Sequence, residues 1–219
     1  MKRKCIITFD LDGVLLDSET NISWMQASIQ KTLAYFHIPQ TEENMQFLHF
    51  DNVKQFKKIS RILGLNPSEF WPIRNNIYTI EKSNAIKEHS IGPFKDVFHL
   101  FELRKRFDLG IISNSPQSIV DLFIQEFHFQ ELFTYPIGRG DTLWDIEHMK
   151  PHRFLFDQLK QKVSAEKWIY IGDRESDRVF AEKTGMGYIH LQRDGVKSQF
   201  TDLKTIVSYL LEDIKPSHE

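Results

Sequence analysis

The chain has 219 residues, of which 41% are hydrophobic and 26% are charged, a globular balance that argues against wholesale disorder and fibrous repeats. Its 28 lysines and arginines nearly balance its 30 aspartates and glutamates, which argues against non-specific binding of nucleic acid. The single cysteine excludes an intrachain disulfide, and no apolar stretch approaches the roughly 20 residues of a membrane span. We therefore expect a soluble cytoplasmic protein that binds neither nucleic acid nor membranes.

The first predicted element is a short buried strand over residues 5–9, which ends at Asp10-Leu11-Asp12-Gly13. A helical pattern follows from about residue 16 to residue 90, where apolar residues recur every three or four positions and no strand is indicated. Within this block we predict three helices, over about 22–36, 53–63 and 67–88.

From residue 91 onward, predicted helices and strands alternate. The predicted strands are 109–112, 133–137, 168–171 and 188–191, and the predicted helices are 94–106, 117–128, 151–162, 176–184 and 201–213. Such alternation is typical of a parallel sheet covered by helices on both faces. We therefore predict an α/β fold with a doubly wound parallel sheet formed by residues 1–15 and 91–219, interrupted by a helical domain over residues 16–90.

Reactive polar side chains lie where the predicted strands end or, for Lys150, just before a helix. They are Asp10 with Asp12, Ser113 with Asn114, Lys150, and Asp173 with Asp177. In an open parallel sheet, ligands bind at the carboxyl ends of the strands. Taken singly, each residue has an ordinary explanation, because aspartate and serine often cap turns and helices and a loop lysine is usually solvated.

Asp10 and Asp12 have a further consequence as a pair. Two residues apart on extended backbone, their side chains are expected to point the same way. The carboxylates would then repel each other unless a cation or a shared proton relieves the charge.

The order of these groups along the chain resembles the haloacid dehalogenase superfamily. The matching motifs are FDLDGVLLDSE over residues 9–19, ISNSP over 112–116, Lys150-Pro151, and IGD over 171–173 followed by Asp177. The resemblance extends from residue 6 to about residue 192 and is strongest to phosphatases and phosphomutases with an inserted helical cap. It implies a Rossmann-like core, a helical cap domain and phosphoryl chemistry on a small phosphorylated metabolite. The acidic residues argue against dehalogenation, because haloacid dehalogenases lack the second aspartate of the first motif and the metal-binding set.

The resemblance also implies the roles of the first two aspartates. Asp10 would be the nucleophile that forms an aspartyl-phosphate. Asp12 would be the general acid and base, protonating the leaving alkoxide and later deprotonating the attacking water.

A negative nucleophile is repelled by a phosphate dianion, so the site needs cations. The resemblance implies that Mg²⁺ is held by Asp10, the backbone carbonyl of Asp12, Asp173 and, directly or through water, Asp177. Phosphate oxygens would be held by Ser113, Asn114 and Lys150.

The inserted helical block departs from the family pattern over residues 47–54, where no glycine appears. His49 and Lys54 are candidate substrate contacts there, with solvated or packing roles equally open. Two alternatives to a phosphatase stay open: a phosphomutase of the β-phosphoglucomutase type, and a catalytically silent binding or regulatory protein with this fold. The sequence leaves the oligomeric state and the substrate undetermined.

Overall fold

A computed structural model describes residues 5–48, 53–193, 195 and 199–213. The strands are β1 (Cys5–Phe9), β2 (Leu16–Asp17), β3 (Gly92–Pro93), β4 (Asp108–Pro116), β5 (Tyr135–Arg139), β6 (Lys167–Gly172) and β7 (Gly187–His190). The α-helices are α1 (Ser23–Tyr35), α2 (Glu42–Phe47), α3 (Val53–Ile62), α4 (Pro67–Lys87), α5 (Leu100–Arg104), α6 (Gln117–Glu126), α7 (Leu143–Glu147), α8 (Phe154–Lys162), α9 (Glu175–Thr184) and α10 (Leu203–Asp213).

Five strands form one parallel sheet in the order β5-β4-β1-β6-β7. Every residue of the central strand β1 is buried, because helices cover both faces of the sheet. Side chains alternate between these faces: Ile7 and Phe9 belong to the apolar cluster on one side, and Ile112 and Tyr170 belong to the cluster on the other. The predicted doubly wound α/β sheet is therefore confirmed.

A second, very small sheet joins the two ends of the helical segment. Strand β2 pairs antiparallel with β3 through Leu16 with Pro93 and Asp17 with Gly92. The expectation of no strand between about residues 16 and 90 is therefore wrong at β2. This strand was missed because two residues are too few to give an alternating pattern. The chain leaves the sheet and returns to it at the same place, and α1 to α4 lie between these two crossings.

The helices of the inserted segment have an apolar cluster of their own. Phe56 of α3 stacks on Phe70 of α4 with ring centroids 5.3 Å apart, and Ile29 and Leu33 of α1 complete the contact. Ile146 of α7 joins the same cluster, so one element from the sheet side also packs against these helices.

Four helical elements differ from the sequence prediction. Helices α2 and α7 were not predicted because they have only six and five residues, too few for a periodic apolar pattern. The helix predicted over 94–106 divides into a 3₁₀ helix, Lys95–His99, and α5. Helix α8 starts at Phe154, after a turn over residues 151–153, and not at residue 151. Among the described residues, no helix has the length and apolar character needed to cross a bilayer.

Candidate active site

The sequence-predicted polar groups meet at the carboxyl edge of the parallel sheet. Asp10 directly follows β1 and donates its backbone N–H to the carbonyl of Ile171 at 2.9 Å, which continues the β1–β6 ladder by one residue. A cavity of about 360 Å³ opens at this edge, a size suited to a small metabolite. Its lining includes Asp10, Asp12, Ser113, Asn114, Lys150 and Asp177.

Three carboxylates form a cluster beside the cavity. Asp10, Asp173 and Asp177 each offer an oxygen within 4.8 Å of the others. Burial raises the pKa of Asp10 to about 6, with Lys150 opposing the rise and Asp177 adding to it. Burial and the charge of Asp10 raise the pKa of Asp173 to about 7. Asp10 and Asp173 thus resist full ionisation in this cluster, and a divalent cation would relieve the repulsion.

The turn after β1 is fitted closely against this cluster. Gly13 has a φ of +77°, and a Cβ there would lie 2.3 Å from Oδ2 of Asp173. Glycine is the residue that adopts this backbone without a steric penalty. The turn therefore requires glycine both for its conformation and for the space that Asp173 occupies.

Asp173 Oδ1 is buried and has no hydrogen-bond partner within the described part of the chain. A buried carboxylate oxygen without a partner is costly. Its environment fits a ligand atom for a hard cation, which prefers carboxylate and carbonyl oxygens.

Lys150 is the buried cation of this cluster. Its Nζ lies 2.9 Å from Oδ1 of Asp10 and 2.8 Å from Oδ1 of Asp177, and it donates to the hydroxyl of Tyr170 at 2.5 Å. Burial alone would lower the pKa of Lys150, but Asp10 and Asp177 raise it above the ordinary value. Lys150 is therefore a fixed positive charge beside the Asp10 carboxylate.

The side chain of Asn114 holds the backbone that carries Lys150. The Lys150 N–H donates to Asn114 Oδ1 at 2.7 Å, and Asn114 Nδ2 donates to the Lys150 carbonyl at 3.2 Å. Both ends of the Asn114 amide are thus engaged with Lys150. The neighbouring Ser113 is buried and accepts from the backbone N–H of Ser115 at 3.1 Å, so its hydroxyl hydrogen can still turn toward the cavity.

Asp12 has a separate set of partners from Asp10. Its Oδ1 accepts from Lys82 Nζ at 2.5 Å and from the Ser18 hydroxyl at 2.6 Å, and its Oδ2 accepts from the Ser115 hydroxyl at 2.6 Å. The carboxylates of Asp10 and Asp12 were expected to crowd one position, and they do not. Because β1 ends at Phe9, the backbone turns between them, and Asp10 contacts Lys150 whereas Asp12 contacts Lys82.

Lys82 is a site residue that the sequence analysis missed. It lies on α4 and is fully buried, with its Nζ 5.2 Å from the ring centre of Trp24. Burial alone would raise the pKa of Asp12, but Lys82 lowers it to about 2, so Asp12 is ionised in this arrangement. The sequence pattern that could have indicated Lys82 is the spacing of Trp71, Tyr78 and Lys82, which places them on one face of α4. All three line the cavity.

The two predicted substrate contacts of the inserted segment have different outcomes. His49 lies outside the described residues. Lys54 is exposed on α3 and is not among the described residues that line the cavity. The described helical contribution comes instead from α1, through Trp24 and Met25, and from α4.

Comparisons with known proteins agree with this geometry. A family described as haloacid dehalogenase-like hydrolase matches residues 7–191. The pyrophosphatase PpaX of Oceanobacillus iheyensis is 27% identical over 95% of this chain and 92% of its own length. A phosphoglycolate phosphatase of Vibrio cholerae is 25% identical over 84% of this chain and 83% of its own.

Solved structures show the same fold. A haloacid dehalogenase-like family hydrolase from Streptococcus pneumoniae aligns with a TM-score of 0.59 and 21% identity, over 90% of this chain and 88% of that one. CbbY from Rhodobacter sphaeroides, in complex with phosphate, aligns with a TM-score of 0.62 and 18% identity, over 91% and 89%. The family match spans most of the chain and includes every predicted strand-end group, so the chain belongs to the haloacid dehalogenase-like hydrolase family, as one of its phosphatase-type members.

Proposed function

We propose that the protein is a Mg²⁺-dependent phosphatase that hydrolyses a small phosphorylated metabolite through an aspartyl-phosphate on Asp10. The observation that carries the proposal is the cluster of Asp10, Asp173 and Asp177, with buried Lys150 on one side. This arrangement combines a nucleophile, a fixed cation and carboxylates for a second cation. Phosphoryl transfer depends mainly on such positioning and charge neutralisation.

The donor set fits Mg²⁺. Asp10, the backbone carbonyl of Asp12 and Asp173 would hold the ion, and Asp173 Oδ1 is buried without a hydrogen-bond partner among the described residues. Asp177 already accepts from Lys150 through Oδ1 and from the Arg174 N–H through Oδ2, which favours contact through water. When bound, the ion would neutralise charge on the phosphoryl group and on Asp10.

The contacts of Asp10 distinguish its two oxygens. Oδ1 accepts from the Leu11 N–H at 2.8 Å and lies 2.9 Å from Lys150 Nζ. Oδ2 is the oxygen left to attack phosphorus. We infer that the Asp10 Oδ2–P bond forms as the bond from phosphorus to the ester oxygen breaks, with Lys150 and the Ser113 hydroxyl holding the phosphoryl oxygens.

Asp12 is held in its ionised form, which is the form needed for the second step. There it would take a proton from the water that attacks the aspartyl-phosphate, and free phosphate would be released. In the first step Asp12 must be protonated to give a proton to the departing alkoxide. Because Lys82 opposes protonation, a shift of α4 relative to Asp12 would control when Asp12 can act as an acid.

We infer that residues 16–90 form a cap domain over a core domain of residues 1–15 and 91–219. The support is the apolar cluster of α1, α3 and α4, which Ile146 of α7 also joins, and the two chain crossings that lie side by side at β2 and β3. Lys82 reaches Asp12 from this helical unit. Closure of such a lid would exclude bulk water from the aspartyl-phosphate until the leaving group has gone.

The test is phosphate release from an aryl phosphate with and without Mg²⁺. Asp10→Asn should lower kcat by at least about 1,000-fold, whereas Asp121→Asn, the same change at an exposed position of α6, should retain activity. Both variants are purified in parallel, so a contaminating phosphatase would appear in each.

A second readout does not depend on turnover. Mg²⁺ should raise the melting temperature of the unaltered protein, since a ligand that binds the folded state stabilises it, and Asp173→Asn should reduce that rise. Normal phosphate release by Asp10→Asn would contradict the nucleophile. Failure of the unaltered protein to hydrolyse any phosphoester would favour a binding protein, and bisphosphate-primed isomerisation of a sugar phosphate would favour a phosphomutase.

A further inference from the structure

The cavity that contains Asp10 also contains two buried arginines. Arg74 lies on α4 and Arg139 lies at the carboxyl end of β5, and each is only 5% exposed. Both line the cavity together with the catalytic groups. Neither has a role in the phosphoryl chemistry described above.

Arg139 is fixed in position by neutral partners. Its Nη1 donates to the Gly140 carbonyl at 2.8 Å, and its Nη2 donates to Asn75 Oδ1 at 2.7 Å. Its guanidinium carbon lies 5.0 Å from the ring centre of Trp71. The acidic group beside it is Asp141 at 4.0 Å, which is 68% exposed and therefore a weak counter-charge.

The positive charge of Arg74 is compensated even less than that of Arg139. Its Nη1 donates to the Ser28 hydroxyl at 3.2 Å, and its Nε is buried without a hydrogen-bond partner among the described residues. No carboxylate in the described part of the chain forms an ion pair with it. Burial, together with the like charge of Arg139, lowers the pKa of Arg74 to about 10.

The other buried cations at this cavity are already paired. Lys150 contacts Asp10 and Asp177, and Lys82 contacts Asp12. Among the described residues that line the cavity, Arg74 and Arg139 are the remaining buried positive charges. Arg74 has no ion pair and Arg139 has only the exposed Asp141, and a buried charge without a close counter-ion is strongly unfavourable. Two neighbouring guanidinium groups offer forked sets of N–H donors, which carboxylates and phosphates can accept.

We propose that Arg74 and Arg139 bind a second anionic group of the substrate, a carboxylate or a phosphate, at the end of the molecule away from the scissile phosphoryl group. This rests on the proposed function for placing the phosphoryl group at Asp10. In the sheet, β4 separates β5 from β1, so the two strand ends lie roughly 10 Å apart. The substrate class is therefore a short phosphomonoester with an anion at each end.

The experiment measures binding by calorimetry to the Asp10→Asn protein in the presence of Mg²⁺, so that no turnover occurs. Three probes differ only at the far end: 2-hydroxyethyl phosphate is uncharged there, carboxymethyl phosphate carries a carboxylate, and ethane-1,2-diyl bisphosphate carries a second phosphate. At least one charged probe should bind about 10- to 100-fold more tightly than hydroxyethyl phosphate. The tighter of the two charged probes identifies the anion.

Arg74→Gln or Arg139→Gln, added to Asp10→Asn, should reduce this preference about 10-fold. Arg74→Lys keeps the charge but loses the fork, so it should retain part of the preference. Arg61→Gln makes the same change at an exposed position of α3 and should leave the preference unaltered. The readout is a ratio of affinities, which a partly unfolded sample would not change.

Two results would overturn the assignment of the arginines alone: equal binding of all three probes, or a preference that survives both glutamine substitutions. Absence of binding by every probe contradicts the phosphoryl site at Asp10 as well. The two proposals therefore fail in distinguishable ways.

Discussion

Replacement of Lys82 by methionine tests whether its contact with Asp12 stabilises the arrangement of α4 against the sheet edge. Met has nearly the length of lysine and packs in apolar surroundings, so the substitution removes the ammonium group with little change in volume. The side chain of Lys82 is 1% exposed and that of Asp12 is 21% exposed. The variant would therefore leave a largely buried carboxylate with only Ser18 and Ser115 as donors.

The size of the effect follows from the pKa of Asp12. Burial opposes ionisation, but Lys82 and the two hydroxyls lower that pKa from 3.8 to about 2, equivalent to about 2 kcal/mol of stabilisation at neutral pH. Because the folded pKa is depressed, this contribution is complete well above pH 4 and is lost as the pH falls through about 2. Breaking one partner of a buried pair costs about 3–5 kcal/mol in other proteins, and the partial exposure of Asp12 places the expected loss near 2–3 kcal/mol.

The assay is urea unfolding at pH 7 without metal. Lys105→Met is the matched control, since Lys105 pairs with Glu102 at 2.7 Å and the two side chains are 67% and 58% exposed, and surface pairs contribute about 0–1 kcal/mol. We expect Lys82→Met to lower the free energy of unfolding by at least about 1 kcal/mol more than the control. Equal losses in the two variants would refute the inference that the Lys82–Asp12 contact stabilises this arrangement.

Three further substitutions test the supports of the site. Asn114→Ala removes both side-chain hydrogen bonds to the Lys150 backbone and should lower kcat/KM about 10-fold; an unchanged value would show that Lys150 is positioned without them. Gly13→Ala forces a Cβ toward Asp173 at positive φ, so it should weaken Mg²⁺ binding measured by calorimetry, and retained affinity would contradict the steric argument. Tyr170→Phe deletes the hydroxyl that accepts from Lys150 and should cost about 1–3 kcal/mol in urea unfolding, whereas a neutral result would show that the hydroxyl is dispensable.

Three polar groups of the sheet edge, Asp10, Ser113 and Asp173, were predictable because each follows an apolar run, whereas Lys150 was assigned through the family resemblance. Asp10 follows five buried residues, and Ser113 and Asp173 follow the mainly apolar runs 109–112 and 168–172. In a parallel sheet such positions meet at one edge whatever the details of packing. The fold and the meeting of these groups therefore follow from local pattern alone.

The contribution of the inserted helices was not predictable in this way. Lys82 and Arg74 are ordinary helix residues in the sequence, and their burial depends on how α4 lies across the cavity. An exposed lysine such as Lys31 has the same local character. Only the tertiary arrangement brings Lys82 to a carboxylate seventy residues away in the chain.

The β2–β3 ribbon has a mechanical consequence for the inserted helices. Both chain crossings lie side by side there. A rigid-body rotation of the inserted helices would therefore use this ribbon as its hinge. At 1.5 Å per residue along α4, Lys82 is roughly 8 Å from the hinge-side end of the helix at Lys87, and Arg74 is roughly 20 Å from it. A rotation of roughly 10° about an axis that is perpendicular to α4 and lies at its Lys87 end would then move Lys82 by only about 1 Å but Arg74 by about 3 Å. The hydrogen bond from the Trp71 indole to the Asp141 carbonyl lies near the far end of α4, so it would have to break when the cavity opens from the arginine end.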